Sequence, residues 1–143
     1  MNQTSQSLSD TVLVERHGGL GVITLNRPEK RNALSPEMVV RLADFWREVA
    51  TDDSVRVVVV TGAGGNFCSG GDVHEIIGPL TRMTMPELLA FTRMTGDLIK
   101  AMRDCPQPVI GAIDGICAGA GAMMALACDM RIAEAHAQMA RSL

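Results

Sequence analysis

The apolar residues between Val12 and Ala135 change period several times, and each change marks an element. Val12 to Arg16 and Gly21 to Leu25 read as two strands, joined at His17-Gly18-Gly19 as a hairpin. Proline and charge in "NRPEKRN" make the next stretch a loop. In "SPEMVVRLADFWREVATD", Ser35 is a cap, Pro36 the first helical residue and Glu37 sits beside it. Val39, Leu42, Phe45, Trp46 and Val49 follow at helical spacing and predict one buried face. "VRVVVVTG", Val55 to Gly62, shows no polar alternation, which predicts a strand inside a parallel sheet covered on both faces. A second helix is expected from Pro86 to about Met102, then a short strand from Val109 to Ile113. Small residues in "ICAGAGAMMALACD" predict a closely packed helix from near Gly119, and "MRIAEA" holds a last strand. Strands alternating with helices imply an α/β domain with a parallel sheet.

Composition narrows the function classes. A chain of 143 residues, 47% hydrophobic and 20% charged, is long enough for one domain with a real core and is not of disordered type. Net charge is −3, the basic residues are scattered, and the aromatics are Phe45, Trp46, Phe67 and Phe91. Neither a basic stripe nor a stacking platform is present, which argues against a nucleic-acid partner. Cys68, Cys105, Cys117 and Cys128 form no C-x-x-C pair and have no histidine at metal spacing. No metal site is expected, and the thiols read as reduced, packed groups of a cytoplasmic protein. "MNQTSQSLSD" lacks the basic start and apolar stretch of a targeting segment. A loose tail over residues 1–10 and a domain over 11–143 are therefore expected, with no membrane span. "AHAQMARSL" supplies no closing element, so the domain reads as incomplete.

Two glycine-rich turns, over 62–73 and 114–122, each follow an apolar strand, where open parallel sheets bind ligands. "GAGGNF" and "GAGAMM" both lack the third glycine of a dinucleotide fingerprint, and no G-K-[ST] follows. Two readings stay open. The turns either present main-chain N–H groups to a carbonyl oxygen, or merely let helix and sheet pack closely.

"ITLNRPEKRNALS", "VVVVTGAGGNFCSGGDV" and "PQPVIGAIDGICAGAGAMMALACDMRIA" together resemble the crotonase superfamily of enoyl-CoA hydratases and isomerases, from Val12 to Met139. The resemblance implies a crotonase-like spiral of ββα units, cut before its C-terminal helical part. It also implies acyl-CoA substrates without a separate cofactor, a role in fatty acid metabolism, and a homotrimer or dimer of trimers at full length. By the same resemblance, the amides of Gly71 and Ala120 would form an oxyanion hole. Arg31 and Ala33 would approach coenzyme A, while Ser69, Asp72 and Val73 would flank its adenine and pantetheine parts. Where hydratases of the family carry a first glutamate, this sequence has Met123, and the second would fall near residue 143. A non-catalytic acyl-CoA-binding chain is the alternative. His74, Glu75, Glu87 and Asp97 read as solvated charges, Asp72 also as a helix cap, Cys68 and Cys117 as packing residues, and His17 and His136 as surface residues. The methionines read as core filling or as an adaptable acyl pocket.

Overall fold

The computed structural model describes residues 10–140. Of the tail expected over 1–10, only Asp10 falls within them, and its carbonyl accepts from Asn26 Nδ2 at 3.0 Å. Strands β1 (Val12–His17) and β2 (Leu20–Leu25) form an antiparallel hairpin, Val12 opposite Leu25. The turn falls at Gly18, whose φ of +62° suits glycine. Strands β3 (Val57–Gly62), β4 (Val109–Ile113) and β6 (Met130–Ala133) then add in parallel, giving the order β1-β2-β3-β4-β6.

Helix α1 (Pro36–Val49) begins as the sequence predicts, with Ser35 Oγ accepting from the Met38 amide at 3.2 Å. It buries Met38, Val39, Leu42 and Trp46, each side chain contributing about 1.5–3 kcal/mol by removal from water. A wide helical turn over Val73–Ile77 runs into the short helix α2 (Gly78–Leu80). Helix α3 (Met85–Asp104) starts one residue before the expected Pro86, because Thr84 and Glu87 close a reciprocal capping box there. That cap also accounts for the Glu87 carboxylate.

Three expectations need correction. The central strand starts at Val57, since Val55 turns back to donate to the Asp52 carbonyl at 3.1 Å. It is not buried on both faces: Val58 and Val60 are buried, whereas Val57 and Val59 are half-buried. The register explains this, because Val22, Val59, Ile110 and Met130 form one row on the outer face, ending at Met130, which is 59% exposed. Finally, a second sheet exists that the pattern does not predict, made of β5 (Ile116–Ala118) parallel to β7 (Gln138–Ala140). Strands of three residues are too short to show a period. Helix α4 (Ala120–Ala127) follows β5 directly, against the first glycine turn.

Candidate active site

The stretch Asn66–Val73 leaves β3 and is bonded at once to the second glycine turn. Phe67 and Cys68 amides donate to the Ile116 carbonyl at 3.1 Å, and the Ala118 amide donates to the Cys68 carbonyl at 2.9 Å. Asn66 Oδ1 accepts from the Ile116 amide at 2.9 Å. Glycine is required where the two backbones meet. A Cβ on Gly121 would strike the Cys68 carbonyl oxygen and would lie 2.7 Å from the Cys68 Cβ. Gly70, at φ +114°, would place a Cβ 3.4 Å from the Ala118 carbonyl and 3.9 Å from the Ala120 amide. Close packing, one of the two readings of these glycines, is therefore a fact of the fold.

The same contacts leave two main-chain donors unused. Gly70 and Asp72 form the bridge to the first loop, with Leu34 donating to the Gly70 carbonyl at 2.8 Å and Asp72 donating to the Leu34 carbonyl at 2.9 Å. The Gly71 amide between them donates to no acceptor among the described residues. Ala120 opens α4, and no side chain caps that helix at Gly119. Its amide is an orphan first-turn donor, also without an acceptor among the described residues, at the positive end of a helix dipole.

Both residues line one cavity of about 1160 Å³, larger than the roughly 300–1,000 Å³ of ordinary small-molecule sites. Arg31, Ala33, Ser69, Asp72 and Val73 line it too, so the fold brings all seven sequence-derived candidates to one wall. Arg31 is held at φ +52° and its carbonyl accepts from the Ser69 amide at 3.1 Å. Val73 is 65% exposed. Asp72 is engaged by the protein: Oδ1 accepts the His74 and Glu75 amides at 2.8 Å, and Oδ2 pairs with Arg27 at 2.9 Å. The Glu75 amide, and after it the His74 amide and the Arg27 guanidinium, hold the carboxyl below its ordinary range against the opposing effect of burial.

Two residues that position this wall were not singled out in the sequence. Arg27 bridges Asp72 and Glu75 and donates to the Ala33 carbonyl at 3.1 Å. Asn32 is fully buried; its Oδ1 accepts from the Arg27 amide, and its Nδ2 donates to the Ala63 and Asn66 carbonyls at 3.0 and 2.8 Å. Nothing in the local pattern marks Arg27. Asn32 carries one faint signal, since asparagine tolerates the left-handed backbone it adopts at φ +59°.

The remaining candidates separate clearly. Met123 lies on the cavity wall, 48% exposed, one turn after Ala120. His74 lines the cavity, Glu75 is tied to Arg27, and Asp97 faces a separate small groove. Cys68 and Cys117 are buried, and burial pushes their thiols up to about 12 and about 11. They stay protonated and are poor nucleophiles. Asp114 and, from the later segment, Glu134 and His136 bring one potential metal-ligand atom each within 4.8 Å of one another. Glu134 and His136 are exposed and pair at 3.9 Å.

Comparison with known proteins gives this cavity a context. Residues 15–142 match the family model described as enoyl-CoA hydratase/isomerase. The chain is 35% identical over 135 residues to the 1,2-epoxyphenylacetyl-CoA isomerase of Escherichia coli (strain K12), covering 92% of this chain and 50% of that protein. It is 39% identical over 129 residues to the (E)-benzylidenesuccinyl-CoA hydratase of Thauera aromatica, covering 89% and 48%. A solved enoyl-CoA hydratase-type structure from Streptomyces coelicolor A3(2) superposes with a TM-score of 0.87 at 42% identity, over 97% of this chain and 51% of that one. The chain thus spans about half the length of the curated relatives it matches. With the family model matching nearly its whole length and solved structures superposing closely, this chain belongs to the enoyl-CoA hydratase/isomerase family and has the crotonase fold.

Proposed function

We propose that the cavity binds an acyl-coenzyme A thioester and that the Gly71 and Ala120 amides polarise its carbonyl as an enolate forms. One observation carries the reading: two main-chain donors without acceptors among the described residues sit on one cavity wall, on turns bonded to each other. Donors fixed before reaction meet developing oxyanion charge without reorganising, and one such donor is worth about 3 kcal/mol of barrier. The α4 dipole adds positive potential at Ala120. Arg31, Ala33, Ser69 and Val73 form the side on which coenzyme A lies, and Asp72 holds the turn through its amide bonds.

The reaction is of hydratase or isomerase type, with coenzyme A carried in on the substrate and no separate cofactor. Met123 cannot transfer a proton, so the acid/base group is not on the first turn of α4. Relatives named for hydration and isomerisation of aromatic acyl-CoA compounds support the class. Assembly as a homotrimer or dimer of trimers, a cytoplasmic location and a place in fatty acid metabolism belong to the same reading.

The test pairs binding with turnover. Crotonyl-CoA is titrated into the chain by calorimetry, then followed by loss of unsaturated thioester absorbance. Gly71→Val, whose Cβ would meet the side chains of Ile76 and Ile77 at 3.3–3.4 Å, should still fold by circular dichroism and lower turnover about 100-fold. Binding without turnover would remove the enzyme half of the proposal, and a Gly71→Val variant with full turnover would remove the oxyanion role.

A further inference from the structure

We infer that the acyl part of this site accepts bulky, uncharged acyl groups and discriminates against acyl groups ending in a free carboxylate. The inference rests on the acyl-CoA reading above and concerns how charge is distributed around the cavity.

The wall has two chemically distinct sides. The side that carries cations is the first loop: Lys30 and Arg31 line the cavity there together with Glu29, and the Ser69 amide and hydroxyl donate to the carbonyls of Arg31 and Lys30 at 3.1 and 3.4 Å. The other side begins at Gly71, against which Ile76 and Ile77 are packed. It continues through Phe91 and Ile99 of α3 and Met123 and Met124 of α4. Thr92 and Thr95 add polarity without charge, and the Thr95 hydroxyl donates to its own helix at 2.9 Å.

No lysine or arginine lines that second side among the described residues. Arg27, the nearest guanidinium in sequence to the first loop's cavity residues, is committed to Asp72, Glu75 and the Ala33 carbonyl. Among the described residues, His74 is the one titratable side chain on the wall beyond Asp72 toward α3. A carboxylate drawn into an apolar wall without a cation loses hydration that nothing replaces. Alkyl and aromatic groups gain from the same transfer. Met123 is the pivot: its half-exposed thioether stands where a charged side chain would reach into the chamber, and methionine adapts to large irregular ligands.

The test measures Kd by calorimetry for the chain with hexanoyl-CoA, phenylacetyl-CoA, adipoyl-CoA and free coenzyme A. Hexanoyl and adipoyl thioesters match in length and differ in the terminal carboxylate. Hexanoyl-CoA and phenylacetyl-CoA should bind at least tenfold more tightly than adipoyl-CoA, and His74→Gln should keep that order. Met123→Arg, at an exposed position that tolerates charge, should narrow the ratio at least tenfold. A hexanoyl-to-adipoyl preference below tenfold in the wild-type chain overturns the inference while leaving acyl-CoA binding intact. Thioesters that bind no better than free coenzyme A, or not at all, overturn the acyl-CoA reading together with it.

Discussion

The two glycine turns do the same geometric job by different physics. Each ends in a glycine at positive φ, Gly70 and Gly119, and just beyond it lies an amide without an acceptor among the described residues, Gly71 and Ala120. The first turn is held by polar side chains: Asn32 ties its start, and Asp72 with Arg27 ties its end. The second has no side-chain cap, and α4 behind it carries no charge. Asn66 Oδ1 holds its start at the Ile116 amide, and its later part is fixed by backbone contact, with Gly121 pressed on Cys68 and the Gly119 amide donating to the Ala140 carbonyl at 3.0 Å. Directional bonds allow the first turn to adopt an irregular path. Steric fit sets the second at a close, fixed distance from it.

That contrast can be broken from either side. The largest effect is expected for Asn32→Ala, which leaves the Arg27 amide and the Ala63 and Asn66 carbonyls without their partner. A destabilisation of about 4 kcal/mol, measured by urea unfolding, would follow from several buried polar groups left unpaired. Gly121→Ala should come next, at about 3 kcal/mol from overpacking against a backbone carbonyl that cannot rotate away. Its sharper signature is the site: ligand binding should fall even where the chain remains folded, because the two amides are pushed apart.

Arg27→Met should cost about 2 kcal/mol, the order of a few charge-assisted hydrogen bonds lost from a largely covered pair. Unlike Gly121→Ala, it should leave α4 in place, which amide exchange along residues 120–127 would check. The smallest effect is the acid response. The fold holds Asp72 ionised more readily than the unfolded chain does, so its contribution is present above the ordinary carboxylate range and is lost as pH falls below about 4. Asp72→Asn retains a capping oxygen but has nothing to titrate. Its stability should therefore vary less with pH than the wild type between pH 5 and 2, and an identical acid profile for the two would reassign the effect to other carboxylates.

Much of this was legible from pattern. Helix α1 declares itself through Ser35, Pro36 and the spacing from Val39 to Val49, since capping and amphipathicity are local. The hairpin, the parallel strands and both glycine turns show likewise, and the seven residues that resemblance assigned to the site do share a cavity. The strand β5 and its partner β7 were not legible, because three-residue strands exist only by pairing across distant segments. The half-buried outer row of β3 was not legible either: four valines read alike whether one face or both are covered. Arg27 and Asn32 were hidden in a charged loop, and the partners that make them matter to the first glycine turn lie 31 to 48 residues away.

By itself, the sequence determined helix α1, the hairpin and the longer parallel strands, and where glycine permits close approach. Those properties depend on side-chain type and near-neighbour spacing. Only the tertiary structure decided that the two turns are bonded to each other and that the Gly71 and Ala120 amides are left over. It also set cations beside Ser69 and apolar side chains beside Gly71. These are relations between segments far apart in the chain, and they follow from which hydrogen bonds and buried surfaces can be satisfied together.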